Sequence, residues 1–141
     1  MKLLADMRQS NTLDLQAVMD HLPYTRFMGI RVQQRGTEIT TIMPFDDKLV
    51  GNTNLPAIHG GAIGSFLEIT AVIQLLAETS IERFPKTVDI SVDYLRSGKP
   101  VDTYGTAIVT RLGRRVANVR CELWQEERSK PIAASHGQFL L

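Results

Sequence analysis

The sequence predicts an α+β fold in which a curved antiparallel sheet wraps around one long central helix. Three observations predict it. The stretch from about residue 61 to 79 is apolar nearly all round, with Ala62, Ile63, Phe66, Leu67, Ile69, Ala71, Val72, Ile73, Leu75 and Leu76, and a helix without a polar face is buried. After Pro85 the chain alternates apolar and polar residues through several extended stretches, as half-buried strands do. Its 141 residues suffice for one core and fall short of two, so a single domain over residues 1–141 is expected.

The elements follow in order. Residues 12 to 22 carry apolar side chains at helical spacing and stop before Pro23, so residues 1–22 are expected to form an N-terminal helical extension that covers the domain. Residues 30 to 45 are strand-like, with Gly36 marking a hairpin or bulged turn and Pro44-Phe45-Asp46-Asp47 ending the run. Residues 52 to 56 read as a loop into the turn that opens the central helix. The next strand, 87 to 95, is expected to be long and half-buried, with Val88, Ile90, Val92 and Tyr94 on one face. Strands over 104–111 and 117–126, separated by Arg111-Leu112-Gly113-Arg114-Arg115, precede a last strand after Lys130-Pro131. Every connection in this half is expected to be hairpin-short, and no repeat or linker marks a second domain.

Composition narrows the function classes. Hydrophobic residues make up 43% and charged residues 22%, an ordinary globular balance. Sixteen Lys and Arg nearly cancel fifteen Asp and Glu, so bulk charge gives no argument for nucleic acid or a membrane surface, and any anion site is local. The lone Cys121 sits in an alternating segment and reads as a buried inert thiol, which suits a reducing compartment. Asp6 and Arg8 interrupt the N-terminus too early for a signal core, and no segment approaches the ~20 uninterrupted apolar residues of a membrane span, so a cytoplasmic protein is expected. His21, His59 and His136 are too scattered to suggest a metal site, and no zinc, P-loop or dinucleotide signature is present.

The chemistry concentrates in Ile58-His59-Gly60-Gly61-Ala62-Ile63-Gly64-Ser65-Phe66-Leu67-Glu68, where a Gly-rich turn meets an apolar helix interrupted by one carboxylate. The first backbone N–H groups of a helix have no internal partner and suit a developing oxyanion. His59 either fixes the turn or acts in the chemistry. Gly60 and Gly61 also permit unusual backbone angles. Residue type alone would leave Glu68 as an acid on a solvent-facing helix edge.

With this element order and the His-Gly-Gly turn nine residues ahead of the acid, the chain resembles hotdog-fold acyl-CoA thioesterases of the phenylacetate-pathway, PaaI-like branch, within the 4-hydroxybenzoyl-CoA thioesterase superfamily. The likeness spans roughly residues 21 to 141. It rests on Gly51-Asn52 leading to Ile58-His59-Gly60-Gly61, on Glu68, and on the strand from Val88 to Arg96. The resemblance implies that Glu68 is the nucleophile or the base for water, and that Gly60 supplies an oxyanion-binding N–H. It implies that Asn52, with Asn54 as the alternative, helps place the water. Some members use a hydroxyl at the start of the strand after the helix, where Thr87 stands; others carry one a helical turn beyond the acid, where this chain has Val72. No cofactor is implied beyond the CoA of the substrate.

Gly60 and Glu68 are eight residues apart on one helix, about 12 Å at 1.5 Å per residue, so one thioester carbonyl cannot touch both. Two chains paired about a twofold axis with their helices antiparallel would bring Gly60 of one to Glu68 of the other. A homodimer is therefore expected, and the resemblance adds a dimer of dimers. Arg96, Arg114 and Arg115 are the candidates to hold the CoA phosphates, beside Gly61 in the turn. Hydrolysis of a small, medium-chain or aromatic acyl-CoA is the leading expectation. The alternatives are an enoyl-thioester hydratase or dehydratase, which needs a His opposite the helical acid, and a non-catalytic acyl-CoA binder.

Overall fold

The computed structural model describes residues 1–141. Six strands form one antiparallel sheet: β1 (Arg31–Arg35), β2 (Glu38–Met43), β5 (Lys86–Tyr94), β6 (Thr103–Leu112), β7 (Val116–Trp124) and β8 (Ala133–Leu140), in the spatial order β1-β2-β6-β7-β8-β5. The long helix α4 (Gly60–Glu78) lies against its inner face. Ten of its residues are buried, and the nine apolar ones join residues from every sheet strand except the two edges in one core of 27 side chains. A buried hydroxyl pair, Thr41 to Thr70 at 2.8 Å, ties α4 to β2. Gly105 makes room for it, since a Cβ there would stand 2.6 Å from the Thr41 hydroxyl and 3.0 Å from that of Thr70.

By length and hydropathy α4 does reach the size of a membrane span, contrary to expectation, with 19 residues at a mean hydropathy of 1.5. Its enclosure by the sheet accounts for that apolarity.

The N-terminal expectation of one helix is corrected to three. α1 (Lys2–Gln9) buries Leu4 and sends Arg8 to the Leu76 and Ile81 carbonyls, closing the C-terminal end of α4. α2 (Leu15–His21) begins where Asp14 accepts a hydrogen bond from the Ala17 N–H. Pro23 does end that helix, because Leu22 before it is extended, and it also opens α3 (Pro23–Met28) from the first helical position. Gly29, at φ 72°, stops α3 in the left-handed region.

The hairpin at Gly36 forms as expected, with φ 63° at the turn. The loop read over 52–56 is a turn over 53–56 that joins two short strands, β3 (Val50–Asn52) and β4 (Ala57–Ile58), so of that stretch only Asn52 lies in a strand.

Two corrections concern β5. Its connection to β6 is not hairpin-short: residues 95–102 carry the chain from one sheet edge to a place beside β2, and β5 pairs with β8 alone. The face assignment also changes. A bulge puts Thr87 opposite Phe139 and Asp89 opposite Gln138, leaving Val88 extra. The alternation slips there, so Thr87 joins the half-buried Ile90 and Val92, while Val88 is 61% exposed.

Cys121 is buried on β7, and burial pushes its thiol up to about 12 despite an opposing hydrogen bond from Ser135. In the unfolded chain the thiol ionises near its ordinary value of 9.0. Its contribution to stability is thus intact below that value and is lost as pH climbs toward about 12, at up to about 1.4 kcal/mol per pH unit. Native protein at about pH 8 is expected to give no colour with a disulfide thiol reagent, and one thiol per chain in denaturant. Rapid labelling of the folded chain would contradict this burial.

Candidate active site

The turn into α4 is built from backbone bonds outward. The His59 N–H donates to Leu49 O at 2.7 Å and the Ile58 N–H to Gly98 O at 2.9 Å, which anchors the entering strand on both sides. His59 then caps the helix: its Nδ1 accepts from the Gly61 N–H at 2.8 Å, so the ring proton belongs on Nε2. The His59 carbonyl accepts from Ala62 at 3.0 Å and Ile63 at 3.1 Å. Of the first four helical N–H groups, only that of Gly60 has no acceptor in the chain. The two glycines therefore differ, since the Gly61 N–H is spent on the cap and the Gly60 N–H is free.

Gly51 has a role that sequence reasoning missed. A Cβ there would lie 2.8 Å from His59 Cα and 2.9 Å from its Cβ and Cδ2, so β3 passes close behind the histidine only because Gly51 lacks a side chain. Asn52, next to it, folds back on the turn, its Oδ1 accepting from the Asn54 N–H at 3.0 Å. Its side-chain amide keeps its donors unused within the chain.

Glu68 is half-buried and lines a groove of about 300 Å³. Ile69 and Val72 of α4 share this groove with Phe84, Pro85 and Thr87, so the structure brings the Thr87 hydroxyl and Glu68 to one place. The opposite wall, Met19, Leu22, Pro23, Tyr24 and Thr25, comes from α2 and α3. That wall was not foreseen; Pro23 following an amphipathic helix was the available signal.

A second groove, about 330 Å³, runs from Gly60 past Ile63 and Tyr94 to Leu95, Arg96 and Gly98. The Tyr94 hydroxyl donates to Gly60 O at 2.8 Å, and sequence reasoning assigned this residue only to a strand face. Arg96 is held by Pro131 O at 2.6 Å and continues into a hollow with Lys99 and Lys130, whose charges pair with Glu126 and Glu127. Arg114 and Arg115 sit with Arg111 in a separate hollow at the β6–β7 turn, bordering neither Gly60 nor Glu68.

No residue lines both the Gly60 groove and the Glu68 groove, so within one chain the donor and the carboxylate remain apart, as the helix rise requires. Both lie on the least buried stripe of α4, residues 60, 61, 64, 65, 68 and 69, which recur at helical spacing. β5 spans the same interval, with Tyr94 at the Gly60 end and Thr87 at the Glu68 end.

Residues 55–132 match the family model described as the thioesterase superfamily. The chain is 29% identical to the medium/long-chain acyl-CoA thioesterase YigI of Escherichia coli K12, over 77% of this chain and 79% of that one. A crystal structure of a protein from Chromobacterium violaceum is 37% identical, with a TM-score of 0.77 over 100% of this chain and 97% of that one. A thioesterase-type, phenylacetic acid degradation-related protein of Ralstonia eutropha JMP134 superposes with a TM-score of 0.76 over 98% of this chain and 99% of that one; at 18% identity it speaks for the hotdog fold alone. With more than half of its length inside the family match, a helix wrapped by the hotdog sheet and a free amide at the helix start, the chain belongs to the thioesterase superfamily and is a thioesterase-type enzyme.

Proposed function

We propose that the chain hydrolyses the thioester of a small, medium-chain or aromatic acyl-CoA in a homodimer, with Gly60 of one subunit and Glu68 of its partner completing each of two identical sites. One observation carries this reading: the free Gly60 N–H and the Glu68 groove stand at opposite ends of a single unpaired edge strand, β5. The two sheet edges are treated differently. Gln16 covers the start of the β1 edge, donating to Ile30 O at 3.0 Å and accepting from the Val32 N–H at 2.7 Å. The β5 edge has no such cover and exposes Val88, Tyr94 and Leu95. A second copy adding its own β5 antiparallel, about a twofold at Ser91 and with Val88 again the extra residue at the bulge, sets Tyr94 opposite Thr87 of the partner subunit. That register carries Gly60 toward Glu68 of the partner subunit.

In the reaction the thioester oxygen accepts from the Gly60 N–H. The Glu68 carboxylate attacks the carbonyl carbon, or takes a proton from the water that does. The oxyanion of the tetrahedral intermediate is held at the Gly60 N–H until the C–S bond breaks: on the water route the proton taken by Glu68 passes to the departing sulfur, and on the direct route CoA leaves as a thiolate that takes a proton from water while a water molecule hydrolyses the acyl–Glu68 anhydride to the free acid. The Asn52 amide orients the water, and the Thr87 hydroxyl steadies the carboxylate. The apolar walls of the Glu68 groove suit an acyl chain, in keeping with the likeness to the medium/long-chain enzyme. Arg96 takes the CoA phosphates, with Arg114 and Arg115 as the more distant candidates. His59 Nδ1 is committed to Gly61, which favours hydrolysis over hydration chemistry that needs a free histidine. No cofactor enters this scheme, and the balanced charge and enclosed α4 leave neither nucleic acid nor membrane a role in it. A reducing cytoplasm suits the single buried thiol, and the family resemblance favours further pairing into a dimer of dimers.

Glu68→Gln is expected to lower kcat by about 10²–10⁴-fold in a thiol-release assay while the dimer persists. A folded variant with full turnover would remove Glu68 from the chemistry. Gly60→Pro deletes the N–H at a position proline accepts, because His59 before it is already extended at φ −58°, ψ 134°. It should lose about 10²–10³-fold. Mixing the two inactive variants and letting subunits exchange should restore about a quarter of wild-type activity, since half of the dimers are mixed and each has one intact site. No recovery after demonstrated exchange would mean that the site does not span two chains.

A further inference from the structure

Resting on the thioesterase reading above, we infer that Tyr94 is a positioning residue for the oxyanion donor: its hydroxyl and His59 Nδ1 grip opposite ends of the same peptide group, 60–61. The geometry is direct. The Gly60 carbonyl of that peptide accepts from Tyr94 at 2.8 Å, and its Gly61 N–H donates to His59 Nδ1 at 2.8 Å.

The clamp answers a specific weakness. Gly60-Gly61 has no side chains to hold it, and glycine loses more backbone freedom on ordering than any other residue. A donor that acts on an oxyanion has to point the right way before the charge develops. The Gly60 N–H belongs to peptide 59–60, which pivots on the same Cα as the clamped peptide. His59 N–H bonded to Leu49 O fixes the chain just before it, so holding peptide 60–61 leaves the free N–H one direction. The helix makes a seat for the phenol. A Cβ at Gly60 would meet the Tyr94 ring at 3.5 Å, and one at Gly64 would stand 3.3 Å from its hydroxyl. Glycine at 64 therefore lets the hydroxyl settle over the first turn. A carbonyl oxygen has two lone pairs, so the Tyr94 bond coexists with the helix ladder.

Tyr94→Phe keeps the ring and removes the hydroxyl. The expected result is a fall in kcat of about five- to tenfold with KM changed by less than about twofold, an unchanged dimer by sedimentation, and faster hydrogen exchange at the Gly61 amide as the other jaw loosens. Unchanged kcat in an active enzyme, unchanged Gly61 exchange, or loss of the dimer each overturns the inference, the last because the hydroxyl would then serve assembly. If the wild type releases no thiol from any acyl-CoA, the thioesterase reading fails. The exchange measurement then decides the clamp alone.

Discussion

Ten side chains of α4 are buried, over all of its surface but one stripe, so this helix is stable in water only inside a sheet that curves around it. Six strands do not close into a barrel, and the sheet ends at β1 and β5. The start of the β1 edge is covered within the chain by Gln16. The β5 edge is left open, and beside it runs the one stripe of α4 that the sheet does not cover, from Gly60 to Ile69. The site residues of the helix lie on this seam because every other face is packed. The enclosure that stabilises the fold thus also decides where chemistry can occur.

Much of this was legible in the sequence because it is local. The apolar run of α4, the period-two strands and the Gly36 turn each carry their signal within a dozen residues, and all form where expected. What escaped is non-local. Whether β5 pairs with β6 or with β8 depends on residues more than forty positions away, such as Phe139 opposite Thr87. The bulge at Val88 is equally silent, since a Thr-Val-Asp-Ile run reads as uniform alternation until its partner strand shows the extra residue. That bulge turns Thr87 inward toward the Glu68 groove.

At the site, the distance between Gly60 and Glu68 could be read from spacing alone, because a helix converts sequence separation into length, while the roles proposed for them came from the family resemblance. The supports could not. Gly51 behind His59 and Tyr94 above Gly60 arrive from separate strands, and nothing in their local sequence announces the contact. The wall supplied by Met19 to Thr25 was hidden because a helix assigned merely to cover the domain also lines its groove.

The free amide has an energetic logic that depends on exposure. An unsatisfied N–H buried from water costs about 1–3 kcal/mol, yet Gly60 is exposed in the isolated chain, where water can meet it. In the proposed dimer the cost arises only when the partner subunit and substrate displace that water. At that moment the amide needs an acceptor, and an oxyanion is a better one than a neutral carbonyl oxygen. Under the proposed mechanism desolvation then favours the transition state over the bound thioester, which is the sense in which a turn left unfinished by folding would become useful to catalysis.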